Sequence, residues 1–303
     1  MTPSLVCLGN FTVDDVVLPD GRERPGCLGG DALYAGLAAR LFEPAVEIVA
    51  PVGSDLPHAT LDRIASAGFS LDGLSQRSLP TLHYRVDYCA DGERTWTPHF
   101  TETDFDVLSP DVTDIPSRYR DAAGFLVLAM TLTGQERLVA WARRETRALI
   151  ALDPREDYIF GNEERLMALI GRTDVFLPSA EEVRRLLGHE DWVAAARSFA
   201  EKGAALVVIK LGSGGAVAYS RDRDSAIHCP AMATDAVDTT GAGDSFCGAM
   251  IARLLQAPED LEGALGAGTV AASLAIRDFG TEPLFAAKPE DARVLWQDFL
   301  SAR

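Results

Sequence analysis

Apolar residues in this chain come in short runs separated by stretches of helical spacing. The runs Leu5 to Leu8, Val46 to Ala50, Gly124 to Ala129, Leu149 to Leu152, Val175 to Leu177 and Ala205 to Ile209 have the length of buried strands. Between them, Ala32 to Phe42 places Leu33, Leu37 and Leu41 on one helical face, and Ala59 to Ala67 and Ala180 to Leu187 also read as helices. Another helix runs through Leu138, Val139 and Trp141, and two long ones follow at Phe246 to Leu255 and Leu261 to Ile276. Apolar strands that alternate with helices predict an α/β fold, a doubly wound and mostly parallel sheet flanked by helices. Ligands of such sheets bind beyond the carboxyl ends of the strands, so the residues after Leu8, Leu152, Leu177 and Ile209 should converge on one edge.

Two segments break this rhythm. Phe11 to Leu18 alternates apolar and polar residues, and Leu82 to Phe100 reads as two strands joined at Asp91-Gly92, a hairpin signal. No repeat, low-complexity tract or linker divides the chain, which predicts one domain over residues 1–303. With 47% hydrophobic and 24% charged residues there is material for a sizeable core.

Charge narrows the partners. A formal net charge of −17 argues against nucleic acid, whose phosphates require Lys and Arg clusters. It leaves room for a small phosphate ligand met by backbone amides, a few basic side chains and a divalent metal. Cys7, Cys27, Cys89, Cys229 and Cys247 form no CxxC pair, as expected of reduced thiols in a cytoplasmic protein. The histidines show no metal-ligand spacing. Met1 to Asn10 reads as a strand rather than a signal peptide, and no apolar run approaches the ~20 residues that span a bilayer. No membrane partner is expected.

The run Asp238-Thr239-Thr240-Gly241-Ala242-Gly243-Asp244-Ser245-Phe246 carries the chemistry. If a helix opens at Gly241, the amides of Gly241, Ala242 and Gly243 form an anion cradle at its positive end. A carboxylate beside such a cradle would repel a passive anion. It makes sense if Asp244 takes a proton from a hydroxyl that then attacks a phosphoryl group. The run resembles the D-T-x-G-A-G-D signature of the ribokinase-like (PfkB) carbohydrate kinases. The resemblance implies Asp244 as general base, the three small residues as anion hole, and ATP with Mg²⁺ as cofactors. It also implies that strands within about 11–28 and 80–100 form a small β lid over the sugar site.

Other positions follow from the same resemblance. Asp14 matches an Asp that binds sugar hydroxyls, with Asn10 and Thr12 as helpers. Gly29-Gly30-Asp31-Ala32 resembles the first family signature lining the sugar pocket, but Tyr34 stands where an Asn is common. Ser179-Ala180-Glu181-Glu182 occupies the place of an N-x-x-E motif, which would assign Glu182 to Mg²⁺ through water; a helix capping box explains the same residues equally well. Lys210-Leu211-Gly212-Ser213-Gly214-Gly215 resembles a turn near the nucleotide phosphates, implicating Lys210, Gly212 and Gly215, and a plain tight turn accounts for the glycines too. Pro230 to Ala236 and the helix Gly266 to Ser273 would flank the adenine, with Gly268 and Ala271 making room. Arg155 stands at a strand end on the binding edge. Asp238 and Thr240 match positions that hold a monovalent cation such as K⁺, although Leu284 replaces a hydroxyl residue common there.

These readings predict an ATP-dependent kinase acting on a hydroxyl of a sugar or sugar-like polyol, and they allow a homodimer through the lid. A nucleoside kinase of the same fold is the alternative, kept in play by Phe11, Tyr34 and Tyr84. A catalytically silent sugar- or nucleotide-binding regulator is the other, and the intact Asp244 argues against it.

Overall fold

The computed structural model describes residues 2–89 and 94–303. Twelve strands are present among them: β1 (Leu5–Leu8), β2 (Thr12–Val17), β3 (Glu23–Gly29), β4 (Val46–Val49), β5 (Tyr84–Tyr88), β6 (Arg94–Pro98), β7 (Gly124–Val127), β8 (Leu149–Leu152), β9 (Val175–Phe176), β10 (Leu206–Lys210), β11 (Ala216–Ser220) and β12 (Ser225–Cys229). Eight of them form one sheet in the order β12-β11-β10-β9-β8-β7-β1-β4. From β10 to β4 every pairing is parallel, and β11 and β12 add an antiparallel edge.

Side-chain alternation explains why these strands read as continuously apolar. Leu5, Cys7, Ile48, Leu126, Ala151 and Val208 point to one face, where they meet the helices Asp31–Arg40, Ala242–Gln256 and Leu261–Ala275. Val6, Leu8, Phe125, Val127, Ile150, Leu152 and Val207 point to the other, toward the helices Leu132–Glu145, Glu163–Ile170 and Trp192–Ala200. Both faces are covered, so neither can be polar. The chain runs from β1 outward to β4, then returns to β7 on the other side of β1. That reversal opens a crevice beyond the carboxyl ends of β1 and β7, the place where such sheets bind ligands.

The remaining strands form a second sheet, β3-β2-β5-β6, standing over that edge. β2 pairs in parallel with β5 and antiparallel with β3, and β5 pairs antiparallel with β6. The two expected strands of the Leu82 to Phe100 segment are therefore present, while their expected junction at Asp91-Gly92 lies outside the described residues. Glu23–Gly29 also joins this sheet, although its mostly exposed face gives it no apolar alternation. On β2 Thr12, Asp14 and Val16 are buried and Asp15 is not, which resolves the register between the adjacent aspartates.

The helix Asp31–Arg40 lies against the helix Ala242–Gln256 at very close range. A Cβ on Gly248 would come within 2.1 Å of the Ala35 carbonyl oxygen. Gly248→Val should therefore overpack this contact and destabilise the protein by about 1–3 kcal/mol in urea unfolding. Phe160→Ala, at a side chain 82% exposed, should stay within about 0.5 kcal/mol of the parent.

Candidate active site

The helix Ala242–Gln256 starts between two cavities. The first, of about 790 Å³, lies under the lid and is lined by Thr240 and Asp244 among others. The second, of about 480 Å³, lies on the opposite side of the helix start and is lined by Thr239, Ala242 and Gly243. The first bond of the helical ladder runs from the Ser245 N–H to the Gly241 carbonyl at 2.9 Å, so the amides of residues 242–244 precede the ladder. The Ala242 N–H makes only a long 3.4 Å contact, with the Thr239 carbonyl.

Gly241 caps this helix in the left-handed region at φ 73°. A Cβ there would also fall 2.2 Å from the Tyr34 ring. Both constraints demand glycine. Tyr34 is buried and thus seats the loop that opens the helix, while its ring also faces the first cavity.

Charge is concentrated beneath the helix start. Lys210, at the end of β10, donates from Nζ to Asp153 Oδ1 at 2.6 Å, and Asp153 follows β8. Burial works against the Lys210 ammonium, but the carboxylates of Asp153 and Glu182 outweigh it and hold it charged. Burial pushes the Asp244 carboxyl up to about 6; the Asp153 charge adds to the rise and Lys210 opposes it. Glu182 is pushed up to about 7 by burial, against the pull of Lys210. Its Oε2 accepts the Ser179 N–H at 2.6 Å while Ser179 Oγ accepts the Glu182 N–H at 3.2 Å. The capping box is thus formed, and one Glu182 oxygen is committed to it.

The first cavity gathers residues from several strand ends and the lid. Asp14 accepts the Thr12 hydroxyl at 2.8 Å and the Tyr84 N–H at 3.2 Å. Burial still lifts its carboxyl to about 7, with a smaller push from Asp238. Asp31 accepts the N–H groups of Asn10 at 2.5 Å and Ala32 at 2.7 Å, and burial followed by the Asp244 charge raises its pKa. Asn10 spends its amide on the Leu108 carbonyl and the Ser109 hydroxyl. Gly30 lines the cavity, whereas Gly29 packs behind Asp14, 3.0 Å from its Oδ2 if it bore a Cβ. Arg155 donates to the Tyr84 hydroxyl and to Asp157, and its guanidinium lies 4.3 Å from the Phe105 ring centre. Phe11 does not reach this space: it is 1% exposed and belongs to the core.

Apart from Tyr84, sequence reasoning missed the far wall. Tyr84 stands edge-on to Trp96 and Phe100, Phe100 stacks on Phe105, and Tyr158 completes the group at the cavity. Phe105 and Tyr158 come from the short helical segments Glu102–Val107 and Glu156–Tyr158, far apart in sequence, so only the fold brings them here. Asp153 was findable, since it ends a strand on the predicted binding edge.

In the second cavity Lys210, Gly212 and Gly215 meet residues 231–234, Ala236, Thr269, Ala272 and Ser273. Gly268 and Ala271 are not among its lining residues. A Cβ on Gly268 would meet the Phe246 ring at 2.8 Å, and Ala271 is wholly buried in the core. The helix is rotated by one residue from the expected phase, so these two serve helix packing while Thr269 and Ala272 face the space.

Asp238 and Thr240 are joined by the Thr240 N–H donating to Asp238 Oδ1 at 2.8 Å. The same oxygen accepts the Tyr88 hydroxyl. Arg94 donates from Nη1 to Thr240 Oγ1 at 2.8 Å and lies 3.8 Å from Asp238 Oδ1. Among the described residues no group of three His, Cys, Asp or Glu side chains is arranged to hold a metal ion, and no helix is long and apolar enough to cross a membrane.

The chain is similar to known kinases. A cytidine kinase of Thermococcus kodakarensis is 28% identical over 250 residues, covering 82% of this chain and 87% of that one. The nucleoside kinase of Burkholderia thailandensis, in complex with inosine, superposes with a TM-score of 0.80 at 17% identity over 98% of each chain. A ribokinase-like protein of E. coli, in complex with ATP and Mg²⁺, superposes with a TM-score of 0.79 at 22% identity over 98% of this chain and 100% of that one. Residues 116–286, more than half of the chain, match the pfkB family carbohydrate kinases. The protein belongs to that family and is an ATP-dependent kinase with a ribokinase-like fold.

Proposed function

We propose that the protein transfers the terminal phosphoryl group of ATP to a hydroxyl of a sugar ring, with Asp244 as general base. The observation that carries this reading is the position of the helix start between the two cavities. An acceptor in the first and a nucleotide in the second would meet at the amides of Gly241, Ala242 and Gly243. Charge spreading over the transferring group then faces main-chain donors and a positive helix end. Asp244, on the acceptor side, takes the hydroxyl proton as the oxygen attacks. A carboxyl titrating near 6 is deprotonated at neutral pH yet still basic enough to receive that proton. Lys210 acts through Asp153, as a counter-charge that keeps this cluster of carboxylates tolerable below the helix start.

Asp14 and Asp31 hold ring hydroxyls in this scheme, each already braced by main-chain N–H donors. Mg²⁺ bound with the nucleotide would neutralise phosphate charge, held by phosphate oxygens and by water ordered on the Glu182 oxygen left outside the capping box. Arg155 is spoken for by Asp157 and Tyr84, so it serves better as a flat wall than as a ligand for an acidic sugar.

The aromatic wall favours a nucleoside over a free sugar. A pentose beside Asp14 and Asp244 would leave the cavity-facing surfaces of Tyr84, Trp96 and Phe100 uncovered. A purine or pyrimidine attached to it would stack there, at about 1–3 kcal/mol per base. The kinship with a cytidine kinase along most of the chain points the same way.

Three measurements check this. Asp244→Asn should keep ATP affinity while turnover falls at least ~10²-fold, and unchanged turnover would refute the base assignment. Because the base must be ionised, kcat/KM should rise with pH through about 6 and level off above it; a profile flat from pH 5 to 8 contradicts the assignment. Trp96→Ala should raise KM for a nucleoside by roughly tenfold, the loss of one stacking contact, and leave KM for free ribose unchanged.

A further inference from the structure

The lid brings a positive charge to the loop that opens the anion hole. Tyr88 on β5 and Arg94 on β6 are directly paired across the two strands, and both reach Asp238. Asp238 is 2% exposed, and a carboxylate buried that deeply needs a counter-charge. Among the described residues, Arg94 is the cationic side chain within 4.0 Å of it. The same guanidinium donates to the hydroxyl of Thr240, the residue directly before Gly241. The rings of Tyr88 and Trp96, each just under 6 Å away, flank the guanidinium and limit where it can go.

A monovalent cation does not fit beside this loop. Asp238 Oδ1 already accepts the Thr240 N–H and the Tyr88 hydroxyl and faces Arg94. The Ile276 carbonyl accepts the N–H groups of Val237 at 2.8 Å and Asp238 at 3.3 Å. Leu284, where a hydroxyl ligand was sought, is a buried hydrocarbon.

We propose that Arg94 is a positioning residue that stands in for a monovalent cation beside the anion hole and holds the loop that aligns the Gly241–Gly243 amides. β6 also carries Trp96, which lines the acceptor cavity. β6 thus ties the loop before Gly241 to the wall of the first cavity, with Arg94 seated on Asp238 and Thr240. The inference rests on the phosphoryl-transfer reading above but concerns a different residue and a different readout.

The test compares turnover in KCl and in choline chloride at equal ionic strength. The parent enzyme should work equally well in both. Arg94→Ala should lose roughly 10–10²-fold in kcat, with ATP affinity unchanged, as expected of a misaligned site. Added methylguanidinium or K⁺ should restore part of the loss, and Arg94→Lys should retain more activity than Arg94→Ala. A parent enzyme that requires K⁺ overturns the proposal. So does Arg94→Ala with parental turnover, or with a loss that no cation restores although its melting temperature matches the parent. Asp244→Asn in the same two salts separates the readings: its turnover reports on the base, and the salt comparison on Arg94 alone.

Discussion

Carboxylates crowd the start of one helix, and everything at the site depends on how their charge is balanced. Asp244, Asp153 and Glu182 lie around it, with Asp31 and Asp14 on the acceptor side. Against them stand the positive end of the helix Ala242–Gln256 and the buried ammonium of Lys210. Neither side would be stable alone. Unpaired buried carboxylates are strongly disfavoured, and so is an isolated ammonium. Together they leave Asp244 ionisable near neutrality and keep the helix end free to receive a phosphate's charge. On the proposed reading, a chain of net charge −17 meets a polyanion locally, at the amides of the helix start, with Lys210 offsetting the buried carboxylates.

The fold serves that balance. β8 delivers Asp153, β10 delivers Lys210, and the segment after β9 delivers Ser179 and Glu182. Their convergence follows from parallel pairing, which puts every carboxyl end at the same edge. The helix Asp31–Arg40 adds Tyr34, whose ring presses on Gly241 and so sets the loop that precedes the anion hole. The lid adds Asp14 from β2, Tyr84 from β5 and Trp96 from β6 to the first cavity. Packing and chemistry meet at glycine: Gly248 lets two helices touch, and Gly241 lets a ring and a left-handed turn share one position.

Much of this was legible in the residues. The apolar runs located the central strands to within a residue or two, because burial on both faces leaves few polar positions to blur them. The run Asp238 to Phe246 pointed to a helix opening at Gly241, and the helix Ala242–Gln256 does start there. The parts read less well had weak local signals. β3 lies exposed at an edge of the lid sheet and shows no alternation. The helix Leu261–Ala275 is apolar nearly all round, so its phase could not be judged, and Gly268 and Ala271 were assigned to the nucleotide side although they pack inward. Phe11 was weighed as a stacking residue because an aromatic side chain looks the same in a core as at a pocket.

Composition, periodicity and one short motif were enough to specify a doubly wound sheet and a helix start at Gly241, since each depends on residues close together in the chain. Tertiary structure alone decided which side chains share a cavity and which charges pair. Lys210 finds Asp153, Arg94 finds Asp238 and Thr240, and Tyr84, Trp96, Phe100, Phe105 and Tyr158 find one another across wide separations in sequence. Such pairings are set by strand order and helix phase, and no local pattern of hydrophobic and polar residues encodes them.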